Sequence, residues 1–101
     1  MRLVFAEPAE RDLDAIISYV AQDDPMAAAK VFRAIVTATG RLCDFPNIGH
    51  AGRVDRTREL SITALPYIVV YQVGPEIVTI VAVFHAARDL ARIIRERGPM
   101  Q

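Results

Sequence analysis

The sequence predicts an α+β fold in which one short strand and two helices precede three further strands. Apolar residues recur at helical spacing over the first half of the chain, whereas residues 59–84 contain short runs rich in β-branched and aromatic side chains. A chain of 101 residues, 52% of them apolar, is long enough for one domain with a single core. We therefore expect one domain over residues 1–101, with the order β-α-α-β-β-β and an antiparallel helical hairpin on one face of a small antiparallel sheet.

The N-terminal half is predicted to hold the first strand and the first helix. Residues 3–5 are apolar and extended in character, and Pro8 then favours the first turn of a helix. The helix continues to about Asp23. Its apolar stripe consists of Leu13, Ile16, Ile17 and Val20.

The second helix is predicted to begin at Asp24 and Pro25, because aspartate is a preferred N-cap and proline suits the first helical position. Helical spacing of apolar residues then continues to about Asp44. Two helices joined this tightly are expected to pack antiparallel.

The C-terminal half is predicted to form a three-stranded antiparallel meander. Residues 45–52 are rich in turn formers and are expected to be a loop. The strands are predicted at residues 59–62, 67–73 and 77–84, and residues 74–76 form the last hairpin turn. The N-terminal strand is expected to join the edge of this sheet.

The last predicted strand is apolar on both faces. Only one face can lie under the helices, so the second face is expected to expose an apolar patch unless another chain or the segment from Asp89 onward covers it. That segment contains Leu90, Ile93 and Ile94 among charged residues, which favours a short C-terminal amphipathic helix.

Several classes of protein are disfavoured by composition. The apolar N-terminal stretch is too short for a signal peptide, and no apolar run approaches the ~20 residues of a membrane span. Cys43 is the only cysteine, so an internal disulfide is impossible and a cytoplasmic protein is expected. The two histidines, distant in sequence and without an acidic cluster, give no metal signature, and no cofactor motif is present.

Charge is balanced overall but divided along the chain. Formal net charge is zero, which disfavours broad nonspecific binding to nucleic acid. Residues 53–101 carry seven arginines against five acidic residues, whereas residues 1–52 carry seven acidic residues against five cations. The basic half is where we expect the functional surface.

The candidate site residues come from the arginine cluster, which is Arg53, Arg56 and Arg58, and from the strands that follow it. As candidates for binding a partner they are Arg53, Arg56, Arg58, Tyr67, Tyr71, His85 and Arg88. Arg58 and Glu59 are adjacent on a strand and must face opposite sides, so each is expected to meet a different partner. Structural roles remain open for Arg58, Arg88 and both tyrosines, and His85 could simply bond a loop.

Five motifs resemble the RelE/ParE superfamily of type II toxins when taken in order. They are Asp12-Leu13-x-x-Ile16-x-x-Tyr19, Leu42-x-x-Phe45-Pro46-x-x-Gly49, Thr57-Arg58-Glu59-Leu60, Pro66-Tyr67-Ile-Val-Val-Tyr71-x-Val73 and Val83-Phe84-His85-x-x-Arg88. The resemblance covers nearly the whole chain and is closer to the ParE branch. It implies a cytoplasmic bacterial toxin that inhibits DNA gyrase by protein binding and is neutralised by a ParD-like antitoxin.

The RelE branch implies a different mechanism, cleavage of ribosome-bound mRNA. By resemblance, Arg58 and His85 match a catalytic arginine and an acid/base histidine, and Arg88 would join them. The RelE lysines near residues 52–60 and a tyrosine after Tyr71 are missing, so no catalytic residue is favoured. A degenerate toxin-like module that only binds an antitoxin is the third alternative.

Overall fold

The computed structural model describes residues 1–88 and 95–97. Two helices pack on a five-stranded mixed sheet, which confirms the predicted α+β class and element order. The elements are β1 (Arg2–Phe5), α1 (Glu7–Asp23), α2 (Pro25–Arg41), β2 (His50–Ala51), β3 (Arg58–Ser61), β4 (Tyr67–Val73) and β5 (Ile77–His85). The described part of the chain has no helix long and apolar enough to cross a membrane.

The junction between α1 and α2 follows the predicted capping. The Asp24 carboxylate accepts the backbone N–H groups of Met26 and Ala27, each at 3.1 Å, and Pro25 occupies the first turn of α2. α2 ends at Arg41, earlier than the predicted Asp44. The chain tightens there, because the N–H of Leu42 donates to the carbonyl of Thr39 at 3.0 Å.

The sheet has the strand order β1-β5-β4-β3-β2. β1 joins the edge as predicted, but it pairs in parallel with β5, from Arg2 with Ile77 to Phe5 with Ile80. The predicted sheet was wholly antiparallel, and the parallel pairing of β1 corrects it. β1 and β5 are joined through two helices and three other strands rather than by a hairpin turn, so their pairing need not be antiparallel. β2 was not predicted, because two residues are too few to show a period-2 pattern.

A β-bulge divides β5 between the two faces of the sheet. Val70 pairs with Ala82 and Tyr71 pairs with Ile80, so Val81 is an extra residue on β5. On the helix side, Ile80 and Val83 join the main core. The bulge turns both Val81 and Ala82 towards the other face, where they join Val70 and Phe84.

This second face is buried, whereas the sequence predicted an exposed apolar patch unless another segment covered the face. Val70, Ala82 and Phe84 are buried and pack against Val54, which lies in the loop before β3. The guanidinium carbon of Arg53 lies 5.8 Å from the centre of the Phe84 ring. The predicted C-terminal helix falls mostly on residues 89–94, outside the described residues, although Arg95 and Glu96 have helical backbone.

Candidate functional site

The strand register separates the candidate residues into two groups. Arg58 pairs with Tyr71, and His85 pairs with Tyr67. Along β4 the two positions are four residues apart, or about 13 Å, and β4 lies between the strands that carry Arg58 and His85. The backbone positions of Arg58 and His85 are therefore well separated, and each side chain bonds a different loop.

Arg58 uses its guanidinium to hold the loop that precedes β2. Its Nη2 donates to the carbonyl oxygen of Asn47 at 3.0 Å and also to the carbonyl oxygen of Gly49. Its Nε is buried and has no hydrogen-bond partner among the described residues. The two carbonyl contacts of Nη2 hold the guanidinium against the loop, whereas the buried Nε costs free energy because it lacks a partner.

Tyr71 is an internal anchor for the same loop. It was predicted as a binding residue, but its side chain is fully buried. Its hydroxyl donates to the carbonyl of Pro46 at 2.7 Å and accepts the N–H of Gly49 at 3.0 Å. A Cβ atom at Gly49 would lie 2.6 Å from the backbone oxygen of Glu59 and 2.7 Å from the Tyr71 hydroxyl, so only glycine fits.

The loop over residues 45–49 displays two apolar side chains to solvent. Phe45 is 56% exposed and Ile48 is 43% exposed. Their backbone is fixed, because the N–H of Phe45 donates to the carbonyl of Arg41 at 2.9 Å and the N–H of Ile48 donates to that of Phe45 at 3.2 Å. The sequence analysis missed these two residues, although large apolar residues in a Pro- and Gly-containing loop are a usable signal.

Arg53 and Glu59 form an ion pair on the second face of the sheet. The Arg53 backbone N–H donates to Glu59 Oε2 at 2.9 Å, and its Nη2 donates to Oε1 at 3.1 Å. Burial by itself would raise the pKa of Glu59, but the hydrogen bonds and charge of Arg53, with help from His50, hold that pKa below 4.5. The carboxylate is 1% exposed, so it is not placed to act as a general base.

Arg56 is exposed, as Arg53 is, but it lies in the turn between β2 and β3. It adopts a left-handed backbone conformation with φ of 66° in the turn before β3. Thr57 stabilises this turn, because its N–H and hydroxyl both donate to the carbonyl of Val54, at 3.2 and 2.6 Å. No hydrogen bond or ion pair holds the Arg56 side chain within the described residues, so it is available to a partner.

His85 bonds the turn that follows β5, which is the structural role that the sequence analysis left open for it. Its Nδ1 accepts the N–H of Ala87 at 3.1 Å, and its ring meets Tyr67 edge-on at 5.9 Å. Arg88 follows on the exposed turn. It borders a cavity of about 310 Å³ whose other lining residues are Asp12, Val83, Phe84, Glu96 and Arg97.

Metal ligation finds no support in the described residues. Among them, no group of three or more histidine, cysteine, aspartate or glutamate side chains could hold an ion. Cys43 is a half-buried free thiol.

Comparison with known proteins connects this geometry to a family. The family model for the ParE toxin of the type II toxin–antitoxin system parDE matches residues 3–90. A Sinorhizobium fredii protein named "Putative toxin Y4kP" is 40% identical over 83% of this chain and 86% of its own length. "Toxin RelE2" of Caulobacter vibrioides is 34% identical over 86% of this chain and 97% of its own.

A solved structure agrees with this assignment. A chain of the chromosomal ParDE toxin–antitoxin system from P. aeruginosa superposes with a TM-score of 0.74 at 26% identity, covering 84% of this chain and 95% of that one. The resemblance drawn from the five sequence motifs is thereby confirmed. The chain belongs to the ParE toxin family of type II toxin–antitoxin systems.

Proposed function

We propose that this toxin acts by binding a protein, DNA gyrase, and that a cognate ParD-like antitoxin neutralises it in a hetero-oligomer. Family membership supports a toxin, and the similar P. aeruginosa chain comes from a ParDE system. The proposal also places toxin and target together in the cytoplasm.

The separation of Arg58 from His85 is the observation that carries this proposal. Cleavage of RNA needs a base, an acid and cationic groups within hydrogen-bond reach of one phosphate. Here the two candidates are about 13 Å apart along the strand direction, with β4 between them. Glu59, the adjacent carboxylate, is already paired with Arg53. The arrangement favours binding over acid/base catalysis.

The loop over residues 45–49 and the exposed Arg56 are the features we assign to target binding. Phe45 and Ile48 are held in solvent by hydrogen bonds from two partly or fully buried side chains, Arg58 and Tyr71. A rigid apolar projection loses little conformational entropy on binding, which favours a protein partner with an apolar pocket. Arg58 therefore acts as a positioning residue for this surface.

Expression in bacteria tests the proposal. Induction of the chain alone should arrest growth and relax plasmid DNA, and co-expression of the antitoxin encoded beside its gene should restore both growth and supercoiling. Growth arrest with normal plasmid topology would exclude gyrase as the target. Growth arrest accompanied by new mRNA ends within codons would favour the ribonuclease alternative.

A further inference from the structure

The outer edge of β1 has no neighbouring strand among the described residues, whereas two other edges of the sheet are protected. At the opposite side of the sheet, β2 is only two residues long. Beyond the end of β1, Asp12 accepts the N–H of Val83 at the exposed edge of β5. Arg97 donates to the carbonyl of Val81 at the same edge. Short edge strands and polar side chains are means by which proteins prevent pairing with another chain.

The backbone groups of Leu3 and Phe5 point away from β5. The N–H groups of Arg2 and Ala6 each donate at 2.9 Å to a carbonyl within residues 76–80. Since successive residues of a strand direct their backbone groups to opposite sides, Leu3 and Phe5 direct theirs to the outer edge. In the part of the chain that the structure describes, nothing bonds these groups. β1 thus presents two donors and two acceptors to another strand.

We propose that β1 pairs antiparallel with β1 of a second copy of this chain, in a homodimer that does not depend on the proposed function. With the two-fold axis at Val4, Leu3 lies opposite the second copy's Phe5. Residues opposite each other in such a pair exchange both of their hydrogen bonds. The axis repeats this pairing, so every outward backbone group of Leu3 and Phe5 gains a partner. The two sheets become one continuous sheet, joined by an isologous interface.

The side chain at the axis suits this pairing. Leu3 and Phe5 pack against the main core, and Val4 points to the other face of the sheet, where it is 36% exposed. Val4 and its copy form a pair without hydrogen bonds, in which the Cα atoms are about 4.5 Å apart and the side chains lie close together. Contact between two apolar side chains across the strands stabilises the dimer.

The charges at the two ends of β1 determine its direction. Arg2 is exposed, and the structure shows no ion pair for it within the described residues. α1 follows β1 and carries Glu7 and Glu10 in its first turn. Antiparallel pairing places Arg2 opposite the second copy's Ala6, beside this acidic turn, and the axis repeats the contact. Unlike charges therefore meet twice, whereas parallel pairing would bring like charges together.

A disulfide at the axis tests the register directly. Val4→Cys is made in a full chain that also carries Cys43→Ser, so that it has a single thiol. Two copies paired at Val4 bring the new thiols within reach of each other, and mild oxidation should give a covalent dimer on non-reducing electrophoresis. Val73→Cys in the same background is the control and should remain monomeric, because Val73 ends β4 and is similarly exposed, at 39%. Equal cross-linking of the two variants, or none with Val4→Cys, would overturn the proposal.

Sedimentation equilibrium measures the association without a cross-link. We expect the wild type to form a reversible dimer with increasing concentration, and a weak one, because β1 has only four residues. Val4→Lys places like charges across the axis and should raise the dissociation constant about tenfold or more, whereas Val73→Lys should match the wild type. Thermal unfolding checks that both variants fold, and the cysteine variants decide the matter if Val4→Lys does not. A wild type that stays monomeric at every concentration, or a dimer that folded Val4→Lys leaves unchanged, would contradict the proposal.

Discussion

Asp12 and Arg97 close the open edge of β5. Arg97 Nη2 lies 2.5 Å from Asp12 Oδ1, although the two residues are at opposite ends of the chain. β1 pairs with β5 only as far as Ile80, so within the described residues the backbone groups that follow on this side of β5 have no neighbouring strand. Asp12 Oδ2 accepts the N–H of Val83 at 3.0 Å, and Arg97 Nη1 donates to the carbonyl of Val81 at 3.1 Å. Two side chains thus replace a missing strand at this edge.

Removing either member of this pair should destabilise the fold. We expect Asp12→Ala and Arg97→Ala each to lower the free energy of unfolding by about 1–3 kcal/mol, because each leaves a strand backbone group without its partner. The double variant should cost less than the two single losses together. Urea denaturation measures this, with the exposed Arg95→Ala as the control. Strict additivity would show that the two side chains act independently.

Much of the fold could be predicted from local sequence, but contacts between residues far apart in the chain, such as Asp12 and Arg97, could not. Asp24-Pro25 identified the start of α2, because a cap and its helix are adjacent in sequence. The parallel pairing of β1 depends on residues some 75 positions apart, and no local pattern encodes it. Asp12 and Arg97 are 85 positions apart, so their contact was equally invisible.

In the candidate site, too, some features could be predicted from local sequence and others could not. The opposite orientation of Arg58 and Glu59 was predictable, because side chains alternate along a strand. The burial of Tyr71 was not, since the last two strands are apolar on both faces and the pattern does not reveal which residue reaches the loop. The bulge at Val81 also shifts the alternation of side chains along β5 by one residue. Alternation in the sequence therefore could not show which residues of β5 face the second side of the sheet.

Arg58→Ala should weaken toxicity while the protein stays folded. Loss of the guanidinium frees the carbonyls of Asn47 and Gly49 and loosens the loop that displays Phe45 and Ile48. Hydrogen exchange should become faster over residues 45–49, and growth arrest should weaken more than for Arg95→Ala. Unchanged exchange in this loop would show that Arg58 does not position it.

Phe45→Ser should reduce toxicity with little effect on stability. Its ring is mostly in solvent, so the folded state loses little burial, whereas a binding surface would lose its largest apolar contact. Tyr19→Ser is the matched control, because Tyr19 is an exposed aromatic residue on α1. Growth arrest and thermal unfolding are measured for both. Equal toxicity of Phe45→Ser and wild type would remove this loop from the target surface.

The Arg53–Glu59 pair should make the free energy of unfolding depend on pH in the acidic range. The pKa of Glu59 in the folded state is lowered from its ordinary value of 4.5. The stabilisation that the ionised Glu59 gives to the fold is therefore fully present above that pH, and it is lost as the pH falls towards the folded-state pKa. Glu59→Gln should lack this component and be less stable at pH 7 by about 2 kcal/mol. Urea denaturation from pH 7 to pH 3 measures the difference. Parallel curves for the two proteins would contradict the assigned role.

His85→Gln should retain most of the growth arrest. Glutamine can still accept the N–H of Ala87, which is the bond His85 makes in the fold, but it cannot exchange a proton near neutral pH. A catalytic histidine would be hard to replace, because acid/base catalysis by one group contributes about 10²- to 10⁴-fold in rate. Growth curves at matched expression measure this. Abolished arrest in a folded His85→Gln protein would indicate proton transfer.

The most direct test of the account is DNA supercoiling by purified gyrase in the presence of the purified toxin. We expect a concentration-dependent loss of supercoiled product with the wild type, reversed by stoichiometric antitoxin, and a weaker loss with Phe45→Ser. Primer extension on translated mRNA with the same preparation should show no new 5′ ends. Uninhibited supercoiling together with cleavage inside codons would contradict the account.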